Sequence, residues 1–524
     1  MPDQHDTALP LPWLRPGANP EADPATTPPA DRETGTTDLD PADWAGFRAV
    51  AHQALDGILD HLATLREQPV WQPTPEPVRA ALRTGLADQG EGIEAVLGQF
   101  EQLIQPYATG NTHPRFMGWV HGGGNVAGLL GEMLAAGLNA NLGGRDHAPI
   151  LVERQVISWM AALFGLPAET GGLLVTGTST ANLIGVLIAR AAAAGPDVRR
   201  HGVSGLRLAA YTSAAAHGCI PRAMDMAGLG TDALRLIPAD AAGRIELPAL
   251  EAAIARDRAA GLRPFLLVGT AGTVDIGAID DLAALAALAR REGLWFHVDG
   301  AFGALAAFAP ELRGLLTGIE AADSVGFDFH KWGQVPYDAG CILVRDPRLA
   351  EQAFAAPAAY LRREARGLAG GAPWPCDFGP DLSRGFRALK VWFTLKTFGA
   401  ARLGRSIAQT CALARELAAR VDAEPELERL APVALNIVCF RFRFDADSDA
   451  RNAALVADLQ EAGIAAPSTT TIDGKLAIRA ALVNHRTRLD DVAILVDAVL
   501  ACGRRRTHAR GLPPARNQVK GPKG

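Results

Sequence analysis

Lysine is scarce in this chain of 524 residues. Six occur, at 331, 390, 396, 475, 520 and 523, and arginine supplies the rest of the 51 basic side chains. Residues 1–389 therefore hold a single amine side chain. Tyrosine is as rare, at 107, 211, 337 and 360, and aromatic residues make up 6%. The six cysteines (219, 341, 376, 411, 439 and 502) lie scattered without a CxxC pair. That excludes a recognisable metal-ligand spacing and argues against a disulfide scaffold. No apolar stretch follows a basic start, so no secretory signal is visible. The longest uncharged run, about Thr170 to Ala189, carries Gly, Thr, Ser and Asn in its first half. It reads as a buried strand, turn and helix, not a membrane span. A soluble, cytoplasmic protein without a membrane partner is expected.

Hydrophobic residues at 48% and charged residues at 21% are normal for a globular protein, and the length exceeds one ordinary domain. The net charge of −6 does not suggest a nucleic-acid partner. Charge is uneven: residues 1–40 sum to −6 and residues 503–524 to +7. The basic end has Gly and Pro but no apolar face, so it reads as a solvated tail.

Residues 1–39, rich in Pro, Thr and acid, are expected to be disordered. An N-terminal helical segment spans 40–110, opening at Asp40-Pro41-Ala42-Asp43 with a helix to about Arg66. Further helices are expected at 91–105, 125–140 and 150–164. From about 172 to 345 short apolar runs alternate with helical stretches. The runs are Gly172–Val175, Leu206–Tyr211, Ala233–Ile237, Pro264–Thr270, Leu294–Asp299, Asp323–Asp328 and Gly340–Val344. This α/β pattern predicts a large domain at 111–382, with a mostly parallel sheet covered by helices. A helix pair (383–399, 401–421) then leads into a small C-terminal α+β domain at 383–502, with strands near 436–443 and 475–482. A basic disordered tail, 503–524, closes the chain.

Ligands of such sheets sit at the C-terminal ends of strands. There the lone early lysine lies, in Asp328-Phe329-His330-Lys331-Trp332. Arginine cannot form an imine, because its guanidinium stays protonated. Lys331 is thus a candidate Schiff-base nucleophile, although a surface lysine that escaped replacement by Arg would look the same. Asp299 closes the run Leu294-Trp295-Phe296-His297-Val298-Asp299. A buried acid there needs a partner. A ring nitrogen held protonated is one, and a cap on the next turn is another. Thr176-Gly177-Thr178-Ser179-Thr180-Ala181-Asn182 joins a strand to a helix, as an ordinary N-cap or as a phosphate cradle of hydroxyls and free N–H groups. It has neither Walker A nor GxGxxG spacing. His217 heads a helix and has the shape to stack on a flat ring. In this order on successive strand ends, the four features together describe pyridoxal phosphate.

The sequence resembles the group II pyridoxal-phosphate decarboxylases, which include aromatic amino acid and glutamate decarboxylases, from about residue 45 to 502. The most specific matches are His297-Val298-Asp299-Gly300-Ala301 and Ser324 to Trp332. Asn111-Thr112-His113-Pro114-Arg115-Phe116, Arg384 to Trp392, and Asn484-His485-Arg486-Thr487 follow. The resemblance implies the fold type I architecture of pyridoxal-phosphate transferases and a homodimer with active sites at the subunit interface. It implies decarboxylation of an L-amino acid to the amine through a Schiff base on Lys331. Asp299 would pair with the pyridine nitrogen, Ala301 would pack beneath the ring and His217 above it. Thr178 and Ser179 would hold the phosphate, helped by His330, and Thr273 would sit near the ring or its 3-hydroxyl.

One departure matters. Aromatic amino acid decarboxylases return a proton to Cα from a loop tyrosine, and counting back from Arg384–Arg387 puts Pro375 at that position. Tyr360, at the head of a Gly- and Pro-rich stretch, is the expected substitute and is counted with Lys331, His217 and Asp299 as catalytic. Without such an acid, oxygen intercepts the carbanion and an aldehyde results. An aldehyde synthase is therefore the alternative, with other lyases or transaminases of the same fold behind it. His113, Phe116 and Trp119 are expected to line the substrate pocket, and no metal is expected.

Overall fold

The computed structural model describes residues 39–86, 88–356 and 363–508. The expected tails lie largely outside the described residues, and so does Tyr360. The chain divides into two compact units, residues 1–55 and 56–524. In the first, a helix (Trp44–Ala63, which runs on into the second) starts where the Asp43 carboxylate accepts from the Ala45 N–H at 3.0 Å. The exposed Trp44 and Phe47 rings meet edge to face at 6.4 Å.

The second unit holds two sheets. Their strands, in chain order, are β1 (Phe116–Met117), β2 (Gly171–Val175), β3 (Leu208–Ser213), β4 (Leu234–Ile237), β5 (Arg263–Thr270), β6 (Trp295–Asp299), β7 (Ser324–Asp328), β8 (Gly340–Val344), β9 (Leu427–Arg429), β10 (Ile437–Phe442), β11 (Ala466–Ile472) and β12 (Lys475–Ala481). The large sheet has the order β2-β8-β7-β6-β5-β3-β4. It is parallel from β7 through β4, and β8 runs against both its neighbours. Every residue of β3, β7 and β8 is buried, as continuous apolar strands covered on both faces require. The parallel strands end together: Thr270 is paired with Asp299, and Asp299 with Gly326.

The small sheet has the order β1-β11-β12-β10-β9. Its edge strand β1 comes from far upstream, with Phe116 paired to Ala466 in parallel. β11 was not legible in the sequence, because Pro467 and the run Ser468 to Thr471 hide an alternating strand. The expected helix pair is Arg387–Ala423, broken at Gly399, whose φ of 67° suits glycine. The last helix, Leu489–His508, continues into the expected basic tail. There Arg506 pairs with Asp458 at 2.6 Å and Arg504 with Glu426 at 2.5 Å.

Arg384 and Glu153, each 2% exposed at the side chain, pair at 2.5 Å. The guanidinium also donates to Leu142 O and Leu174 O, and Glu153 Oε1 accepts from Leu174 N at 2.9 Å. The pair thus ties the helix Ala148–Leu163 to β2 and to the chain entering the helix at Arg387. Removing one partner of a buried pair strands the other charge, typically at about 3–5 kcal/mol. Glu153→Ala is expected to lower stability by that amount in a denaturant titration, and Glu153→Gln by less. An unchanged midpoint in Glu153→Ala would show that the pair does not stabilise the fold.

Candidate active site

β7 delivers Asp328 at full burial, and the turn after it carries Lys331. The turn is closed by Ala339, whose N–H donates to His330 Nδ1 at 3.0 Å and whose carbonyl accepts from Phe329 N at 2.8 Å. Lys331 Nζ then sits 2.7 Å from Asp328 Oδ2. Asp328 Oδ1 accepts from the backbone N–H of Thr178 at 2.7 Å, and His330 Nε2 stands 3.6 Å from Oδ2. One carboxylate thus gathers the lysine, the histidine and the start of the helix Thr178–Ala194. Sequence reasoning gave Asp328 no role, although it closes an apolar strand just as Asp299 does. Burial pulls the Lys331 ammonium down, but Asp328 and Asp299 outweigh it and the net shift is upward.

Asp299, 3% exposed, ends the neighbouring strand. Its Oδ1 accepts from Ala301 N at 3.1 Å and its Oδ2 from Asn182 Nδ2 at 3.0 Å. Burial pushes its carboxyl up and outweighs Lys331, the Ala301 N–H, His217 and Asn182, so the net shift is upward. His217 lies exposed before the helix Cys219–Met226, its Nδ1 accepting from Cys219 N at 3.2 Å.

The structure thus brings together Lys331, Asp299, Ala301, His217, His330 and Thr178. Ser179 is exposed on the first turn of its helix. Thr273 is buried and engaged in its own turn, where its hydroxyl accepts from Ala278 N at 3.0 Å. His113 keeps other company. Its Nδ1 accepts from Arg115 N, and burial, then Arg115, push its ring down to about 4.

An aromatic wall stands on the lysine turn. The His121 ring stacks on Phe116 at 5.8 Å and on Trp119 at 5.7 Å, and meets Tyr337 edge-on at 6.0 Å. Tyr337 in turn lies 4.3 Å from the His330 ring. Burial and the nearby Lys331 charge push the His121 imidazole down, so the ring is neutral. Gly122 makes this approach possible: a Cβ there would fall 2.3 Å from His330 O and 2.4 Å from Lys331 O. Trp119 has a φ of 49°, and buried Arg479 donates to its carbonyl at 3.0 Å.

The residues present fit pyridoxal phosphate. The hydroxyls of Thr178 and Thr270 are buried without a hydrogen-bond partner. An unpaired buried polar group costs about 1–3 kcal/mol, so two of them near the paired strand ends mark a place shaped for a polar ligand. An amine, a buried carboxylate on the next strand and an exposed imidazole complete a donor set for an aldehyde, a ring nitrogen and a ring face.

Comparison with known proteins agrees with this geometry. The model of the pyridoxal-dependent decarboxylase conserved domain matches residues 75–443. An aromatic-L-amino-acid decarboxylase of Bacillus atrophaeus is 32% identical over 85% of this chain and 93% of its own length. A phenylacetaldehyde synthase of Arabidopsis thaliana is 31% identical over the same shares. The crystal structure of Oryza sativa TDC with PLP and tryptamine superposes with a TM-score of 0.82 at 26% identity, covering 90% of this chain and all of that one. The chain belongs to the pyridoxal-dependent decarboxylases, with the fold of that family, and is a pyridoxal-phosphate-dependent amino-acid decarboxylase.

Proposed function

We propose that the enzyme decarboxylates an aromatic L-amino acid at the site built on Lys331 and Asp299. The observation that carries the substrate class is the wall of Phe116, Trp119, His121 and Tyr337 resting on the lysine turn. The exposed rings of this group, Trp119 and Tyr337, offer stacking and edge contacts to another ring. Pyridoxal phosphate bound here supplies an aldehyde that joins to an amine and a ring that accepts the electron pair left when the Cα–carboxylate bond breaks. Lys331 is the amine that holds the aldehyde. Asp328, 2.7 Å from its Nζ, would hold and orient that amine. Asp299 would hold the ring nitrogen protonated, and His217 and Ala301 would take the two ring faces. Thr178, Ser179 and His330 would hold the phosphate, and Thr273 would lie near the ring.

The proton returned to Cα needs an acid. Among the described residues Tyr211 is committed to Asp257 at 2.8 Å inside the sheet, whereas Tyr337 stands beside His330 and within the field of Asp328. Partial burial and then Asp328 push the Tyr337 phenol up, so it keeps its proton at neutral pH. Among the described residues we assign Tyr337 Oη as this acid; Tyr360 lies outside them.

A homodimer is supported by the helix Val126–Leu138, which leaves Val126, Leu130, Met133, Leu134 and Leu138 exposed on one unit. No helix among the described residues is long and apolar enough to cross a membrane, and all six thiols are free, five of them buried. The free thiols fit the reducing cytoplasm.

Three outcomes test this reading. Borohydride reduction of the loaded enzyme is expected to add the cofactor's mass to the Lys331 peptide, and Lys331→Ala to abolish both that mass and CO2 release, by roughly a thousandfold or more. Labelling elsewhere would remove Lys331 from its role. In a panel of L-amino acids, CO2 release is expected from aromatic substrates and not from glutamate or 2,4-diaminobutyrate; the reverse order would refute the aromatic assignment. With Tyr337→Phe, product is expected to shift from amine toward aldehyde. There the amino acid, O2 and water yield aldehyde, CO2, ammonia and hydrogen peroxide in equal amounts. Amine alone from Tyr337→Phe would exclude Tyr337 as the acid, and peroxide from the unmodified enzyme would favour the aldehyde synthase reading.

A further inference from the structure

The site leaves a buried polar chain behind Asp299 without an assigned role. Trp295 Nε1 donates to Ser324 Oγ at 2.8 Å, and Ser324 Oγ meets His297 Nδ1 at 2.8 Å. His297 Nε2 meets Asn182 Oδ1 at 2.8 Å, and Asn182 Nδ2 reaches Asp299 Oδ2 at 3.0 Å. Ser324, His297 and Asn182 are at most 1% exposed. Trp295, His297 and Asp299 alternate along β6 and so share one face of the sheet.

One direction satisfies every link of the chain. An indole N–H only donates, so Ser324 Oγ accepts there and its own proton is free for His297. Burial pushes His297 down to about 4, so the ring is neutral and carries one N–H. With Nδ1 accepting from Ser324, that N–H lies on Nε2 and donates to Asn182 Oδ1. The amide oxygen of Asn182 is thereby engaged, and its NH2 faces Asp299 and the Cys219 sulfur, 3.2 Å away. Two glycines make room for this pair. A Cβ on Gly185 would lie 2.9 Å from the His297 ring, and one on Gly326 would lie 2.8 Å from Asn182 Oδ1.

We infer that Asn182 and His297, backed by Ser324 and Trp295, are positioning residues that fix Asp299 in orientation toward the ring nitrogen of the cofactor and favour its ionised form over the neutral one. The inference rests on the role proposed above for Asp299. Were the chain reversed, Asn182 would turn its carbonyl to Asp299. Two oxygens facing at that distance require a proton between them, and a protonated Asp299 no longer holds the ring nitrogen protonated. The other groups that face Asp299 work in the same sense as the chain. They are the Ala301 N–H, Lys331, His217 and the Cys219 thiol, which burial and then Asp299 push up to about 12, so that it keeps its proton.

The test uses the full chain loaded with pyridoxal phosphate labelled with 15N in the ring, whose resonance separates protonated from unprotonated nitrogen. The unmodified enzyme is expected to show the protonated signal. Asn182→Leu is expected to bind the cofactor and shift the signal toward the unprotonated position, with kcat lowered roughly 10–100-fold at little change in KM. Ser324→Ala, which removes one hydroxyl and threatens folding least, is expected to move the signal the same way by less. Histidine side-chain 15N spectra, with His297 assigned by its loss in His297→Gln, are expected to show a neutral Nε2–H ring. A protonated cofactor signal in both Asn182→Leu and Ser324→Ala overturns the inference, as does an Nδ1–H tautomer of His297. Asp299→Ala separates the two levels. If it leaves the ring nitrogen protonated, the assignment of Asp299 fails and the inference falls with it. If it moves the signal and Asn182→Leu does not, the positioning chain alone is wrong.

Discussion

A carboxylate at the end of a buried strand has lost its water and must be answered by donors. This molecule places two of them side by side, at the ends of β6 and β7. The rest of the site is arranged around the answer. Asp328 is met by an ammonium, a backbone N–H and an imidazole, whereas Asp299 is met by a side-chain amide and a backbone N–H. The same residue type in the same topological place is thereby given two chemistries. One lies against the lysine ammonium, and the other is met by neutral donors without a direct cation contact.

The sheet makes that pairing possible. Parallel strands in register bring their last residues to one edge, so residues 29 positions apart in sequence stand on neighbouring strands with no side chain having to reach far. The antiparallel β8 returns to the same place. Gly340 pairs with Asp328, and a Cβ on Gly340 would strike the backbone of Gly177 at 2.5 Å. The start of the helix at Thr178 can therefore press against the carboxylate, which is why its N–H reaches Asp328 at 2.7 Å. Close packing, more than any loop, sets the distances at the candidate site.

Much of this could be read from the sequence, because the informative residues are rare ones. A single lysine in the first 389 residues, set after a continuous apolar run, needs no structure to stand out. The strands of the large sheet were legible for the same reason, since a strand covered on both faces is apolar throughout. β11 was hidden because one of its faces is polar and it carries a proline. The aromatic wall was only partly legible. Phe116 and Trp119 lie in one segment, but Tyr337 joins them through a turn that sequence spacing does not encode. In the sequence Asn182 reads only as one residue of a helix start. Its meaning depends on which of its two amide ends faces Asp299, and that follows from His297, 115 residues away.

That dependence explains why a histidine sits where water would normally be banned. A buried imidazole that cannot charge is a poor acid and base, yet it has one donor and one acceptor on opposite sides of a rigid ring. In the core of a sheet it acts as a directional spacer. In the inferred order it accepts a hydrogen bond from Ser324 on one side and donates one to Asn182 on the other. An aliphatic residue would fill the space but leave the amide free to rotate, and a glutamine would bring its own rotational ambiguity. The indole of Trp295 closes the far end as a donor to Ser324 Oγ, which leaves the hydroxyl proton free to point at His297. In the inferred arrangement Asp299 is steered by groups that never touch the cofactor, and their effect lies in the order of their donors and acceptors rather than in charge of their own.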